Sequence, residues 1–198
     1  KNAASFQQIS ETEIYKMIHR KSSSIVKWIL IISILEISFW TFSNLFINTD
    51  DVLRKINHPE IVTALEFLTY FNYVVVLIFI YIFYKNYKTI STTVATKSLM
   101  SAILKTRKTV QYYVWYNLGM IVITAILSFF IAFVYNPDME FLREKLAMNG
   151  KAMFATIGIL FLVILGFFGL FWCFYRVIYG TLLRRLYANY KELKKIDF

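Results

Sequence analysis

The chain has 198 residues, 58% hydrophobic and 17% charged, with a formal net charge of +10, one cysteine, two prolines and six glycines. Soluble domains hold about 45–50% apolar and about 25% charged residues, so this balance excludes an ordinary soluble domain. It also excludes an internal disulfide and any collagenous or Gly-rich design.

The first residue is Lys, not Met, so further residues are expected before it. Ser10 and Glu13 have the spacing of a capping box, and Ile9 with Ile14 that of a hydrophobic staple. Ile14, Met17 and Ile18 then form one apolar face, with Lys16, Arg20 and Lys21 elsewhere. This pattern predicts a short amphipathic helix on the inner membrane surface, broken at Ser22, Ser23 and Ser24.

Four apolar blocks follow, each long enough for the roughly 20 helical residues that cross a bilayer. They cover residues 25–47, 61–84, 113–135 and 152–178. The first is too long for a cleavable signal and lacks a small-residue cleavage site after it. Between the first two blocks, Thr49 or Asp50 is expected to cap one turn carrying Val52, Leu53 and Ile56. Pro59 suits the first helical turn of the second span, after Asn57 or His58.

The central segment, residues 85–112, has no acid, proline or glycine. The second and third spans are therefore expected to run on and meet in a hairpin around Ser91 to Thr96, with Leu99, Ile103 and Val110 on one face. Lys97, Lys105, Arg107 and Lys108 are its candidate contacts to lipid phosphate or a partner's acids. Between the third and fourth spans, Asn136 is placed to cap and Pro137 to open a short external helix. Met139, Leu142 and Leu146 share its face, and Asn149-Gly150 is expected to end it in a left-handed turn. The tail, 179–198, continues the last helix. Leu183, Leu186, Tyr190 and Leu193 form a short coiled-coil-like seam, a second candidate contact surface.

Basic residues orient the spans. Seventeen of the 22 Lys and Arg lie in the N-terminal, central and tail segments, and five lie in the other two connections. The positive-inside rule makes the first set cytoplasmic, with both termini inside. Trp28, Tyr81, Tyr84, Tyr87, Tyr112, Tyr113, Trp115, Tyr116, Trp172, Tyr175 and Tyr179 fall near that boundary and read as an aromatic belt. The fold class is thus an all-α integral membrane protein, one domain over 1–198. It is a four-transmembrane-helix bundle, N-in and C-in, with short amphipathic cytoplasmic and external helices. The Ile-, Lys-, Phe-, Tyr- and Asn-rich composition suits an AT-rich bacterial gene, and the plasma (inner) membrane is the expected location.

Polar groups within the spans are the candidate site. Glu36 sits mid-span, where an ionised carboxylate costs at least about 2.5–3.5 kcal/mol, so it should face inward, protonated or paired. Ser33, Trp40 and Ser43 share its face, and Asn44 is adjacent. Glu66 is shallower, in a stripe with Thr63, Tyr70 and Tyr73. Asn72 and Asn117 add two amides. Glu36 reads either as a proton- or cation-handling group or as hydrogen-bonded glue between helices. Gly158 and Gly169 align on the fourth span without a GxxxG motif. Cys173 reads as a small packed hydrophobe.

No metal-ligand spacing, phosphate-cradling loop or nucleophile motif occurs, so no enzyme, metal or cofactor is expected. The basic residues flank spans without a recognition motif, which argues against nucleic acid. The leading expectation is a non-enzymatic scaffold or regulatory subunit that binds a membrane protein or itself and touches anionic phospholipid. The alternative is a small dimeric proton-coupled transporter or channel using Glu36.

Overall fold

The computed structural model describes residues 10–46 and 58–196, the side chains of 44, 45 and 196 excepted. The described chain is helical throughout: α1 Glu11–Phe46, α2 Pro59–Thr92, α3 Thr96–Tyr135, a 3-10 turn Pro137–Met139, α4 Glu140–Ala147 and α5 Gly150–Ile196. Helices α1, α2, α3 and α5 are long and apolar enough to cross a membrane. The protein is therefore an all-helical, multi-pass membrane protein. Ile9, Thr49, Asp50, Val52, Leu53, Ile56 and Asn57, with the staple and the turn expected of them, lie outside the described residues.

The chain divides into two units. Unit 1 comprises Lys1–Ile34, Phe79–Gln111 and Ile178–Phe198, and unit 2 comprises Leu35–Ile78 and Tyr112–Val177.

In unit 1, α1 starts at the expected box. The Glu13 N–H donates to Ser10 Oγ at 3.3 Å and the Ser10 N–H to Glu13 Oε2 at 3.2 Å. The helix does not break at the three serines. Serine costs a helix only about 0.5 kcal/mol, and Ser22 is spent on tertiary contact. It is fully buried, and its Oγ accepts from Asn189 Nδ2 at 3.0 Å. Of the N-terminal apolar face Met17 stays exposed, but Ile14 and Ile18 turn into the protein. Ile18 joins Val26, Ile90, Leu99, Ile103, Leu186 and Leu193 in one core, with Ile14 and Tyr15 packed against it.

The hairpin turns where α2 ends at Thr92 and α3 begins at Thr96, and Leu99, Ile103 and Val110 are all buried. The Tyr15 hydroxyl donates to the Thr93 carbonyl at 3.2 Å, satisfying one of the acceptors that a helix end leaves open. Burial raises the Tyr15 phenol above its ordinary pKa. The Arg107 guanidinium lies 4.4 Å over the Tyr187 ring, and Lys191 Nζ lies 5.1 Å from the same ring.

In unit 2, α2 opens with Pro59 in its first turn, and the His58 carbonyl accepts from the N–H groups of Ile61 and Val62. Asn136 caps the 3-10 turn, its Oδ1 accepting from the Asp138 N–H at 3.0 Å, with Pro137 first in the turn. Arg143 on α4 donates to the carbonyls of Phe133 and Asn136 at 2.7 and 3.1 Å. A cation thus meets the negative end of α3. Leu146 is the buried member of the α4 face.

The left-handed turn expected at Asn149-Gly150 does not form, and no described glycine has a positive φ. Asn149 instead caps α5, its Oδ1 accepting from the Ala152 N–H at 3.2 Å. Asparagine suits either role, and the immediate start of α5 selects the N-cap. Apart from the adjoining turns of α5 itself, nothing in the described chain comes within 4 Å of a Cβ built at Gly158, Gly166 or Gly169. Cys173 is exposed on α5, not packed.

Candidate functional site at Glu36

Glu36 lies in the unit 2 part of α1 and is half-buried. Both of its carboxyl oxygens have a phenol partner. The Tyr113 hydroxyl of α3 donates to Oε2 at 2.8 Å, and the Tyr175 hydroxyl of α5 donates to Oε1. One carboxyl group therefore ties three long helices together. Tyr113 is 1% exposed and Tyr175 3%, so both phenols are themselves withdrawn from solvent.

Beside this triad is a cavity of about 350 Å³. Its walls come from all four long helices: Glu36, Ile37 and Trp40 of α1, Asn72 and Tyr73 among others of α2, Asn117 and Thr124 among others of α3, and Phe171 and Tyr175 of α5. The Trp40 and Phe171 rings are 6.0 Å apart, centroid to centroid. The Tyr116 hydroxyl donates to Asn72 Oδ1 at 3.0 Å, and Asn117 Nδ2 donates to the Tyr113 carbonyl one turn back at 2.8 Å. Those two bonds fix the amides and, through Asn117, brace the turn that carries Tyr113.

The chemistry of the triad follows from donor counting. An ionised carboxyl accepts both phenol protons. A protonated one adds a donor of its own while keeping acceptor capacity on both oxygens. The two phenols can therefore hold the carboxyl in either charge state.

The other sequence candidates are distributed as follows. Asn72 and Asn117 line the cavity with Glu36. Ser33 is buried in unit 1 and donates within its own helix, to the Leu30 carbonyl at 2.8 Å. Ser43 is half-buried and not part of the cavity wall, and the side chain of Asn44 lies outside the described residues. Glu66 is exposed on α2 away from the cavity, and of its stripe only Tyr73 reaches the wall. Among the candidate contacts, Lys97, Lys105 and Lys108 are exposed and Arg107 is half-buried against Tyr187. In the tail seam, Leu186 and Leu193 are fully buried in the unit 1 core, with Leu183 and Tyr190 half-buried.

Tyr113 and Tyr175 were the residues missed as site groups. Both belong to the set read as a boundary belt, and with Tyr179 they are instead buried. Trp28, Tyr81, Tyr84, Tyr112, Trp115 and Trp172 are exposed, as a belt requires. The available signal was spacing. Tyr113, Asn117 and Thr124 recur at intervals of four and seven, one face of a helix, and Phe171 and Tyr175 are four apart.

Among the described residues no three His, Cys, Asp or Glu side chains gather closely enough to hold a metal ion.

Four long apolar helices, with a half-buried glutamate in the wall of a cavity that all four line, define a polytopic helical membrane protein. The chain belongs to the family described as domain of unknown function (DUF8845), whose model matches residues 12–198. No curated protein and no solved structure matches it.

Proposed function

We propose that this chain is a small, non-enzymatic, proton-coupled carrier or channel of the plasma membrane, working as a homo-oligomer, in which Glu36 is the exchanging acid. Both termini and the hairpin face the cytoplasm, where the basic residues also meet anionic phospholipid.

The observation that carries this reading is the placement of Glu36. The carboxyl is held by two phenols and also lines a cavity with room for roughly ten waters at about 30 Å³ each. A glutamate acting only as glue between helices needs no such space. An acid that must load and unload does, because the exchanging species has to reach it. Acids within spans that face the bundle interior or a cavity mark ion and proton pathways. Four spans are few for a carrier, which is why a second copy belongs to the proposal.

The scaffold or regulatory-subunit reading depends on free contact surfaces. Two of the four tail residues that would form one are taken up inside unit 1, while Lys97, Lys105 and Lys108 of the hairpin stay exposed; it is the cavity at Glu36 that favours the carrier.

The test is proton movement in reconstituted vesicles that carry an internal pH-sensitive dye. An imposed pH gradient should decay faster with the protein present, and Glu36→Gln should remove the difference. Decay equal to that of empty vesicles, or unaffected by Glu36→Gln, would overturn the proposal.

A further inference from the structure

The cavity has a chemical character beyond its single acid. Trp40, Tyr73, Tyr113, Phe171 and Tyr175 all contribute to its walls, together with Glu36. Among the described residues that line the cavity there is no Lys, Arg or His. An anionic guest would therefore find one carboxyl group and no cation. A neutral apolar guest would fill the space but leave the carboxylate in hydrocarbon without a counter-charge.

A hard inorganic cation fits poorly as well. Calcium takes six to eight oxygen ligands at about 2.3–2.6 Å, and magnesium demands a near-ideal octahedron. Here one carboxyl group offers two oxygens, both already accepting from phenols, and most of the remaining wall is carbon. At about 350 Å³ the cavity is also far larger than an ion and lies at the small end of the range for organic ligands, about 300–1,000 Å³.

Aromatic faces around a single acid suit a cation whose charge is diffuse and whose surface is apolar. Ring quadrupoles attract such a charge, and the alkyl groups shed water at little cost. We propose that the cavity binds a small organic ammonium ion, its charged head beside the Glu36 carboxylate and its apolar body against Trp40 and Phe171. This rests on the same placement of Glu36 as the exchange reading and names the solute class. The proton and the ammonium ion compete for one carboxylate, so taking up one releases the other. The groups facing that carboxylate are the Tyr113 and Tyr175 phenols, with Tyr73 on the α2 wall, and none of them carries a positive charge.

The test uses benzyltrimethylammonium, a permanent cation with no proton of its own. The full chain, in nanodiscs of zwitterionic lipid, is titrated by equilibrium dialysis. Saturable binding is expected, weakened at least tenfold by Glu36→Gln and several-fold by Trp40→Leu or Phe171→Leu. Trp172→Leu should leave it unchanged, because Trp172 is exposed on α5 and does not line the cavity. Neopentylbenzene, the same shape with carbon for nitrogen, should not compete.

Absence of saturable binding, equal binding by Glu36→Gln, or equal competition by the neutral isostere would overturn the proposal. Proton release on adding the cation to weakly buffered protein separates the two readings. Binding without release removes Glu36 as the exchanging acid but keeps the ligand class. Glu36-dependent proton flux without binding removes the ligand class alone.

Discussion

The bond between Glu36 and Tyr113 can be measured apart from any transport. Tyr113→Phe removes only the hydroxyl, and Glu36→Leu replaces the carboxyl by an apolar group of similar length. Hydrogen bonds to charged groups contribute about 1.5–3 kcal/mol in soluble proteins. Between helices in membranes the measured couplings are smaller, averaging about 0.6 with a maximum near 1.7 kcal/mol, because separated helices still find partners. Tyr113 is 1% exposed and its bond is 2.8 Å long, so the phenol, unlike the half-buried Glu36 carboxyl, is shielded from solvent when its partner is lost. The coupling should therefore lie in the upper part of that range, about 1–1.7 kcal/mol, close to a tenfold change in the unfolding equilibrium. The assay is equilibrium unfolding in mixed micelles, titrated with sodium dodecyl sulfate, for the wild type, both single variants and the double variant. The same cycle with Tyr175→Phe is a parallel measure. Single effects that add to within about 0.3 kcal/mol would mean that the groups do not interact, and the triad would be refuted.

Three further outcomes are expected. Leu186→Ala should cost about 2–5 kcal/mol, since Leu186 is fully buried in the unit 1 core, whereas Leu165→Ala on the exposed side of α5 should change stability by under about 0.5 kcal/mol; equal effects in the same unfolding titration would contradict the packing. Asn189→Leu should cost about 1–3 kcal/mol because it strands the buried Ser22 hydroxyl, and adding Ser22→Ala should recover most of the loss; a double variant no more stable than the single would count against the bond. Tyr15 is neutral below its ordinary pKa of about 10, and burial raises that value in the folded state, so its stabilising contribution is complete below about pH 10 and lost as pH rises through the folded value. Tyr15→Phe should flatten the alkaline loss of stability, and an unchanged alkaline profile would show that this phenol is not its source.

The sequence carried the elements whose signals are local. Span length, the box at Ser10 and Glu13, the cap at Asn136 and the proline-free hairpin all depend on neighbouring residues, and each stands where the spacing puts it. Two local readings failed for local reasons. Serines at 22–24 weaken a helix only slightly, and what holds α1 together there includes a bond to Asn189, 167 residues away. Asn149-Gly150 is equally good chemistry for ending one helix or starting the next, and only the start of α5 decides. At the candidate site, the inward-facing acid was legible because lipid punishes the alternative. Its partners were not. An aromatic residue near a span end suits the membrane boundary and the bundle interior alike. The difference lies in the rotation of α3 and α5 about their own axes, which hydropathy does not encode.

The rotation also accounts for the pairing of polar groups in unit 2. On α3 the same face carries Tyr113, Asn117 and Thr124, so turning it inward to reach Glu36 brings an amide and a hydroxyl to the cavity wall as well. Turning it outward would strand the Tyr113 hydroxyl in hydrocarbon, at a cost of several kcal/mol for a polar group left unsatisfied, whereas Asn117 and Thr124 keep the bonds they make to carbonyls of their own helix. The acid on α1 and the stripe on α3 therefore select each other. The Tyr113 phenol finds its acceptor only when the carboxyl is there, and the carboxyl, held at one oxygen by Tyr175, finds its second phenol donor only when α3 faces it. That mutual requirement holds for any function. The cavity is the part it does not require, since larger apolar side chains at Thr69 or Thr124 would narrow the space and leave both phenol bonds to Glu36 intact. Narrowing it in this way, with Thr69→Phe and Thr124→Phe, should preserve the coupling between Glu36 and Tyr113 and slow Glu36-dependent proton flux. Flux at the wild-type rate through the narrowed variant would show that the cavity is not the route.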